Sequence, residues 1–163
     1  MIFRQLFDHT SSTYTYVVAS RKGGEALVID PVLENVERYI KLMEELDLKL
    51  VKVIDTHIHA DHISGMAELR DRTNCITIMG DATPGDVVSM QVKDNDDVSI
   101  EGIKLKNILT SDGVSNWADE EHIKMAIQSK HLSFSRKLCS IAKKSGSNDD
   151  LSAVVIKTKS SQT

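Results

Sequence analysis

The chain has 163 residues, the size of one ordinary domain, and a chain this long buries roughly two-thirds of its unfolded surface. Hydrophobic residues make up 40% and charged residues 27%, outside the regime of disordered chains, and a net charge of −4 excludes broad attraction to nucleic acid or an anionic membrane. Only Cys75 and Cys139 are present, at a separation that matches neither a disulfide framework nor a paired-cysteine zinc site. MIFRQLFDHTSST lacks the apolar core of a signal peptide, and no apolar run approaches the ~20 residues of a membrane span. A cytoplasmic protein is expected.

In chain order, alternation in TYTYVVAS (13–20), the turn Arg21-Lys22-Gly23-Gly24 and EALVID (25–30) predict a β-hairpin. Pro31 opens a segment with Val32, Val36, Tyr39, Ile40, Met43 and Leu46 at helical spacing, an amphipathic helix that covers a sheet. LKLVKVIDTH (48–57) is the next strand and runs directly into Thr56-His57-Ile58-His59-Ala60-Asp61-His62. A short helix over 63–73, a strand over 75–79 and a Pro84-Gly85 turn follow, then a second hairpin over 98–110 broken at Gly102. The remainder reads as two helices (116–129 and 134–146, with Gly146 in C-cap position), a final strand within 151–158 and a frayed tail at 159–163. His9, His122 and His131 read as surface histidines, Trp117 as a helix anchor, and Cys75 and Cys139 as core cysteines.

The histidine loop carries the chemistry. His57, His59, Asp61 and His62 place three imidazoles and a carboxylate within six residues, and these are the common nitrogen and oxygen donors for zinc and non-haem iron. Leaving a strand, His57 and His59 can point to one side while Asp61 and His62 swing toward an adjacent position, a spacing that suits two neighbouring metal sites. The competing reading is a solvated loop in which Asp61 caps the following helix. Because a catalytic site usually takes three protein ligands and keeps a position open, other segments must complete each shell.

Residues 1–109 resemble the N-terminal half of a metallo-β-lactamase superfamily protein. Within that superfamily, FRQLFDHTSSTYTYVVAS, ALVIDPV, DTHIHADHISG, ELRDRT and VSIEGIKL are most similar to the persulfide (sulfur) dioxygenases, relatives of glyoxalase II. The resemblance implies that His57 is a ligand of Fe²⁺ in a two-histidine, one-carboxylate triad. Glutathione persulfide would then be oxidised by O₂ to sulfite and glutathione, with His59, Asp61 and His62 lining the pocket. In the hydrolase relatives the same four positions are ligands of a two-metal site, zinc being the alternative ion, whose bound water attacks a thioester.

The resemblance stops where ILT (108–110) is followed by Ser111-Asp112-Gly113-Val114 in place of a TPGHT-like turn, so two of the three implied iron ligands have no counterpart and activity is expected to be impaired. From there, ILTSDGVSNWADEEHI and AKKSGSNDDLSAVVI resemble the C-terminal end of PPM-type metal-dependent protein phosphatases. That likeness implies Asp112 and Asp149 as carboxylate ligands to Mg²⁺ or Mn²⁺. Read without it, Asp112-Gly113 is a tight turn and Asn148-Asp149-Asp150 a polar loop.

The expected fold is α/β, a mixed, mainly antiparallel sheet flanked by helices, a partial αββα sandwich. Residues 1–109 form its metallo-β-lactamase-like half, and 110–158 a segment packed into the same domain. The expected function is metal binding with persulfide dioxygenase ancestry and a small-molecule thiol or persulfide as substrate. A glyoxalase II-type hydrolase, a phosphatase-like module or a silent chimera are the alternatives. The missing ligands would come from residues such as Asp112 or from a second copy in a homo-oligomer.

Overall fold

A computed structural model describes residues 1–81, 87–93, 96–106 and 155–157, with the backbone alone at 106 and 155–157. The expected hairpin forms from β2 (Thr13–Ala19) and β3 (Glu25–Ile29). It is preceded by a strand that the sequence pattern does not announce, β1 (Ile2–Asp8), paired antiparallel with β2 along its whole length. In IFRQLFD apolar residues fall on both faces, so no two-residue alternation marks it.

The first helix, α1 (Val36–Glu45), begins later than Pro31, behind a 3-10 turn over Leu33–Asn35. The intervening backbone is engaged elsewhere: Val32 N–H donates to the Tyr39 hydroxyl at 3.1 Å and Leu33 N–H to the Ile63 carbonyl at 2.9 Å. β4 (Lys49–Ile54) lies parallel to β3, and α2 (Met66–Thr73) leads to β5 (Ile76–Gly80), parallel to β4. A three-residue strand, β6 (Met90–Val92), too short to carry a period, extends the sheet on the far side of β5. The six strands run in the order β1-β2-β3-β4-β5-β6.

A second sheet is built from the hairpin expected over 98–110. β7 (Asp97–Ile100) and β8 (Ile103–Lys106) turn at Gly102, whose φ of +69° suits a residue without Cβ. β9 (Val155–Lys157), inside the strand expected over 151–158, pairs antiparallel with β8. Among the described strand pairs four are antiparallel and three parallel, the mixed, mainly antiparallel α/β fold read from the sequence.

Period-two alternation splits the core into two layers. Val17, Val28, Val53 and Leu50 face the helices and meet Tyr39, Met43, Met66 and Leu69, with Cys75 buried among them. Val18, Leu27, Ile54 and Ile78 face the other way and meet Val98, Ile100, Ile103 and Leu105 of the second sheet. Each such side chain contributes about 1.5–3 kcal/mol when fully buried. The layers are helix, sheet, sheet, and this packing holds the carboxyl ends of β3 and β4 side by side at one end of the sandwich. The expected helices over 116–129 and 134–146, together with Asp112, Asp149, Trp117, His122, His131 and Cys139, lie outside the described residues.

Candidate metal centre

Two parallel strands end together, and each carries a carboxylate at its end: Asp30 after β3 and Asp55 after β4. Asp30 adopts φ +51°, a left-handed conformation that aspartate tolerates better than most residues. Its backbone is fixed on both sides. Asp30 N–H donates to the Ile54 carbonyl at 2.8 Å. Its carbonyl accepts the Thr15 hydroxyl at 2.7 Å, and Thr15 Oγ1 in turn lies 2.9 Å from the buried Tyr39 hydroxyl.

So held, the Asp30 carboxylate organises the histidine loop. It accepts Thr56 N–H at 2.7 Å and the Thr56 hydroxyl at 2.8 Å, and its Oδ1 lies 3.2 Å from His59 Nε2. The far end of the loop is tied to the segment after Asp30: Val32 bridges Ser64, and Gly65 N–H donates to the Pro31 carbonyl at 2.7 Å. A Cβ at Gly65 would come within 2.9 Å of Val36 Cγ2, so only glycine lets the loop leave this close to α1.

The hydrogen bonds assign a tautomer to each ring. The Thr56 hydroxyl spends its one proton on Asp30 and accepts from His57 Nδ1–H at 2.9 Å, leaving His57 Nε2 bare. His59 donates Nε2–H to Asp30, so in the neutral ring Nδ1 is the bare nitrogen, 3.8 Å from Asp61 Oδ1. The Thr13 hydroxyl donates to Asp61 Oδ2 at 2.7 Å and accepts from His62 Nδ1–H at 3.2 Å, leaving His62 Nε2 bare. That last atom is buried without a partner, as is Asp55 Oδ1. The donors converge in two groups that share His59, one of Asp30, His57 and His59 and one of His59, Asp61 and His62, each with its ligand atoms within 4.8 Å of one another.

Charge follows the same geometry. Burial opposes protonation of His59, yet its bond to Asp30 and the charges of Asp30, Asp55 and Asp61 outweigh that, and its pKa lies above the usual histidine value. Burial pushes the Asp55 carboxyl up to about 6 against a lowering hydrogen bond from Ser64, with the Asp30 charge adding to the rise. Desolvation opposes ionisation of Asp61, but the bonds from Thr13 and His62 hold its pKa below the usual range.

All four residues named from the sequence, His57, His59, Asp61 and His62, are thus brought together. Asp61 does not cap a helix: α2 has Gly65 at its N-cap and no side-chain cap, and the Asp61 carboxylate is taken up by Thr13 and His62 instead. Sequence reasoning missed Asp30, Asp55 and Thr13. The available signal was an acidic residue ending each of two strands joined by a helix, since ligands gather at the carboxyl ends of parallel strands. The donor set suits a transition-metal ion. Neutral imidazole is a borderline donor and carboxylate a hard one, a mixed set common at zinc and non-haem iron, a buried orphan nitrogen is explained by an absent partner, and a carboxylate behind a ligating histidine is the usual way its other nitrogen is fixed.

Residues 10–85 match the family described as the Metallo-beta-lactamase superfamily. Over 70 residues the chain is 49% identical to mouse (Mus musculus) persulfide dioxygenase ETHE1, mitochondrial, a match that spans 43% of this chain and 28% of the mouse protein. It is 34% identical over 92 residues to hydroxyacylglutathione hydrolase of Rhodospirillum rubrum, spanning 55% of this chain and 35% of that one. The crystal structure of ETHE1 from Myxococcus xanthus superposes with a TM-score of 0.62 at 43% identity, covering 65% of this chain and 47% of that one. The chain therefore spans less than half the length of these relatives. Its N-terminal part carries a metallo-β-lactamase-type segment with persulfide dioxygenase and glyoxalase II-like relatives, and the C-terminal likeness to PPM-type phosphatases finds no support among them. Among the described residues no helix is long and apolar enough to cross a membrane.

Proposed function

We propose that the chain is a metal-binding protein of the persulfide dioxygenase type, holding Fe²⁺ at the histidine loop, with glutathione persulfide as substrate and turnover impaired by the Ser111-Asp112-Gly113 segment. The observation that carries this reading is the meeting at His59 of two donor groups, Asp30 with His57 and His59, and His59 with Asp61 and His62, on a stretch about half identical to persulfide dioxygenases. His57, His59 and His62 would hold the ion, with Asp61 beside them. Bound there, iron supplies open coordination positions and redox chemistry that no side chain offers.

The chain's own residues prepare the site. Asp30 holds one ring nitrogen of His59 and, through Thr56, one of His57, which leaves the other nitrogen of each for the ion. Thr13 does the same for His62. His59 and His62 side chains are 4% and 3% exposed whereas Asp61 is 40% exposed, so these two imidazoles are shielded and substrate would approach from the side of the carboxylate. Ile58 and Ile63, on the same loop, are exposed and would offer apolar surface to a sulfur substrate. The overall reaction balances as glutathione persulfide plus O₂ plus water giving glutathione, sulfite and two protons. The cytoplasmic placement expected from cysteine usage stands as part of this proposal, although the mouse relative is named as mitochondrial.

One observation favours a second reading. The two donor groups meet at His59, so two ions would sit side by side with His59 on one of them, the arrangement of a thioester hydrolase of the glyoxalase II type. Elemental analysis of anaerobically purified protein, with oxygen uptake on glutathione persulfide and hydrolysis of a glutathione thioester run in parallel, separates the two. One iron per chain with persulfide-dependent oxygen uptake supports the first, and two zinc ions with thioester hydrolysis the second. Protein that holds neither metal, and whose melting temperature ignores both when added, defeats both.

A further inference from the structure

We infer that Thr13 is a positioning residue of the metal centre, selecting the tautomer of His62 and the orientation of Asp61 from a strand more than forty residues away. The inference rests on the metal-centre reading above and deepens it. Three observations carry it.

The first is stoichiometry of protons. A hydroxyl has one, and Thr13 directs its proton to Asp61 Oδ2 at 2.7 Å, so toward His62 Nδ1, 3.2 Å away, it is an acceptor. His62 must therefore carry its proton on Nδ1. The same Nδ1 lies 3.2 Å from Asp61 Oδ2, a second acceptor that reinforces the choice. The second observation is the consequence: His62 Nε2 is buried with no partner, a lone pair aimed at nothing the described residues supply. An imidazole placed so that its unsatisfied side is the acceptor side is arranged for a Lewis acid.

The third is how firmly Thr13 itself is held. It pairs with Asp8 across the hairpin, behind a turn in which Ser12 adopts φ +59°. The Asp8 carboxylate takes Ser11 N–H and the Ser11 hydroxyl, each at 2.8 Å, and the Asn35 side-chain amide at 3.0 Å. These bonds, that from Ser11 N–H first, hold the Asp8 carboxyl down at about 2. Two residues on, Thr15 serves Asp30 in a parallel way. Alternate residues of TYTY thus send hydroxyls to both halves of the site, one to the backbone carbonyl of Asp30, the residue behind His57 and His59, and one to Asp61 and His62.

The test uses the full chain. Long-range ¹H–¹⁵N correlation on metal-free protein labelled at histidine reads which nitrogen of His62 is protonated. Competition with a chromogenic chelator reads Zn²⁺ affinity. Wild type and Thr13→Ser are expected to show His62 protonated at Nδ1 and similar affinity. Thr13→Val, which keeps the β-branched shape without the hydroxyl and leaves Asp61 Oδ2 beside Nδ1 without the bond that orients it, is expected to raise the share of the other tautomer measurably and to lose about 10–100-fold in affinity, with Thr13→Ala as a second hydroxyl-free variant. The inference is overturned if both hydroxyl-free variants keep the wild-type tautomer, or if Thr13→Ser behaves as they do. Because the tautomer is read without metal, a chain whose tautomer responds while Zn²⁺ never binds refutes the metal centre and leaves the role of Thr13 intact.

Discussion

The two ends of the sandwich treat charge in opposite ways. At the end where β2 turns into β3, Arg21 lies 2.6 Å from Glu101, and the Glu101 backbone N–H donates to Glu25 at 2.9 Å. Each of these groups is partnered, and Arg21 and Glu101 are exposed while Glu25 is half-buried. At the other end, Asp55 and His62 bury polar atoms with no partner, and Asp30 holds a left-handed backbone. Exposed pairs contribute little to stability because water competes for both members, whereas a buried carboxyl with one oxygen unpartnered retains much of its desolvation penalty. The first end can be rearranged at small cost. The second costs stability in the metal-free chain, and that is the signature of a site built to receive something.

The sharpest way to break this contrast is Asp30→Ala. It strips the acceptor from Thr56 N–H and His59 Nε2–H at once, and an expected loss on the order of 2–4 kcal/mol of metal-free stability follows, with metal affinity falling about 10–100-fold. Chemical denaturation and chelator competition measure the two effects, and loss of neither would show that Asp30 is incidental.

Next is Asp55→Asn, where pH decides the sign. Burial pushes the folded carboxyl up to about 6 from the ordinary aspartate value of 3.8. Stability is fully present below the unfolded value and is lost as pH rises from 3.8 through about 6. His59, also raised, adds stability that is complete below its unfolded value of 6.5 and lost as pH climbs through its higher folded value. Metal-free protein is therefore expected to lose stability steadily from pH 4 to pH 8. Asn in place of Asp55 should recover on the order of 2–3 kcal/mol at pH 8, at about 1.4 kcal/mol per pKa unit, and almost nothing at pH 4. Melting curves across that range suffice. With metal bound the trend should reverse, since the ligands must be deprotonated.

Tyr39→Phe probes the support beneath the site. It leaves the buried Val32 N–H without its acceptor and frees Thr15, at an expected cost of about 1–3 kcal/mol in urea unfolding. Smallest of all is Arg21→Ala at the opposite end, for which the expected change in melting temperature is within the error of the measurement. A large effect there would erase the contrast between the ends.

Much of this was legible in the residues. THIHADH names a donor set because three imidazoles and a carboxylate so close together have few other uses, and the period of TYTYVVAS, EALVID and LKLVKVID marks strands whatever surrounds them. β1 was not legible, because its pattern is apolar on both faces and it becomes a strand only when β2 offers it a ladder. The late start of α1 was hidden for a related reason: the first turn gives its backbone groups to Tyr39 and Ile63, distant residues that no local rule anticipates.

The sequence by itself determined the donors, the strand that delivers them and the mixed α/β class, since each depends on residue type and short-range spacing. Only the tertiary structure decided which nitrogen of each histidine is bare. That choice belongs to Asp30, Thr56 and Thr13, two of them on other strands, and becomes definite only when parallel pairing of β3 with β4 and the fold of the first hairpin bring those oxygens within 3.2 Å of the rings. A lone pair is aimed by its neighbours, and the chain order does not say who they are.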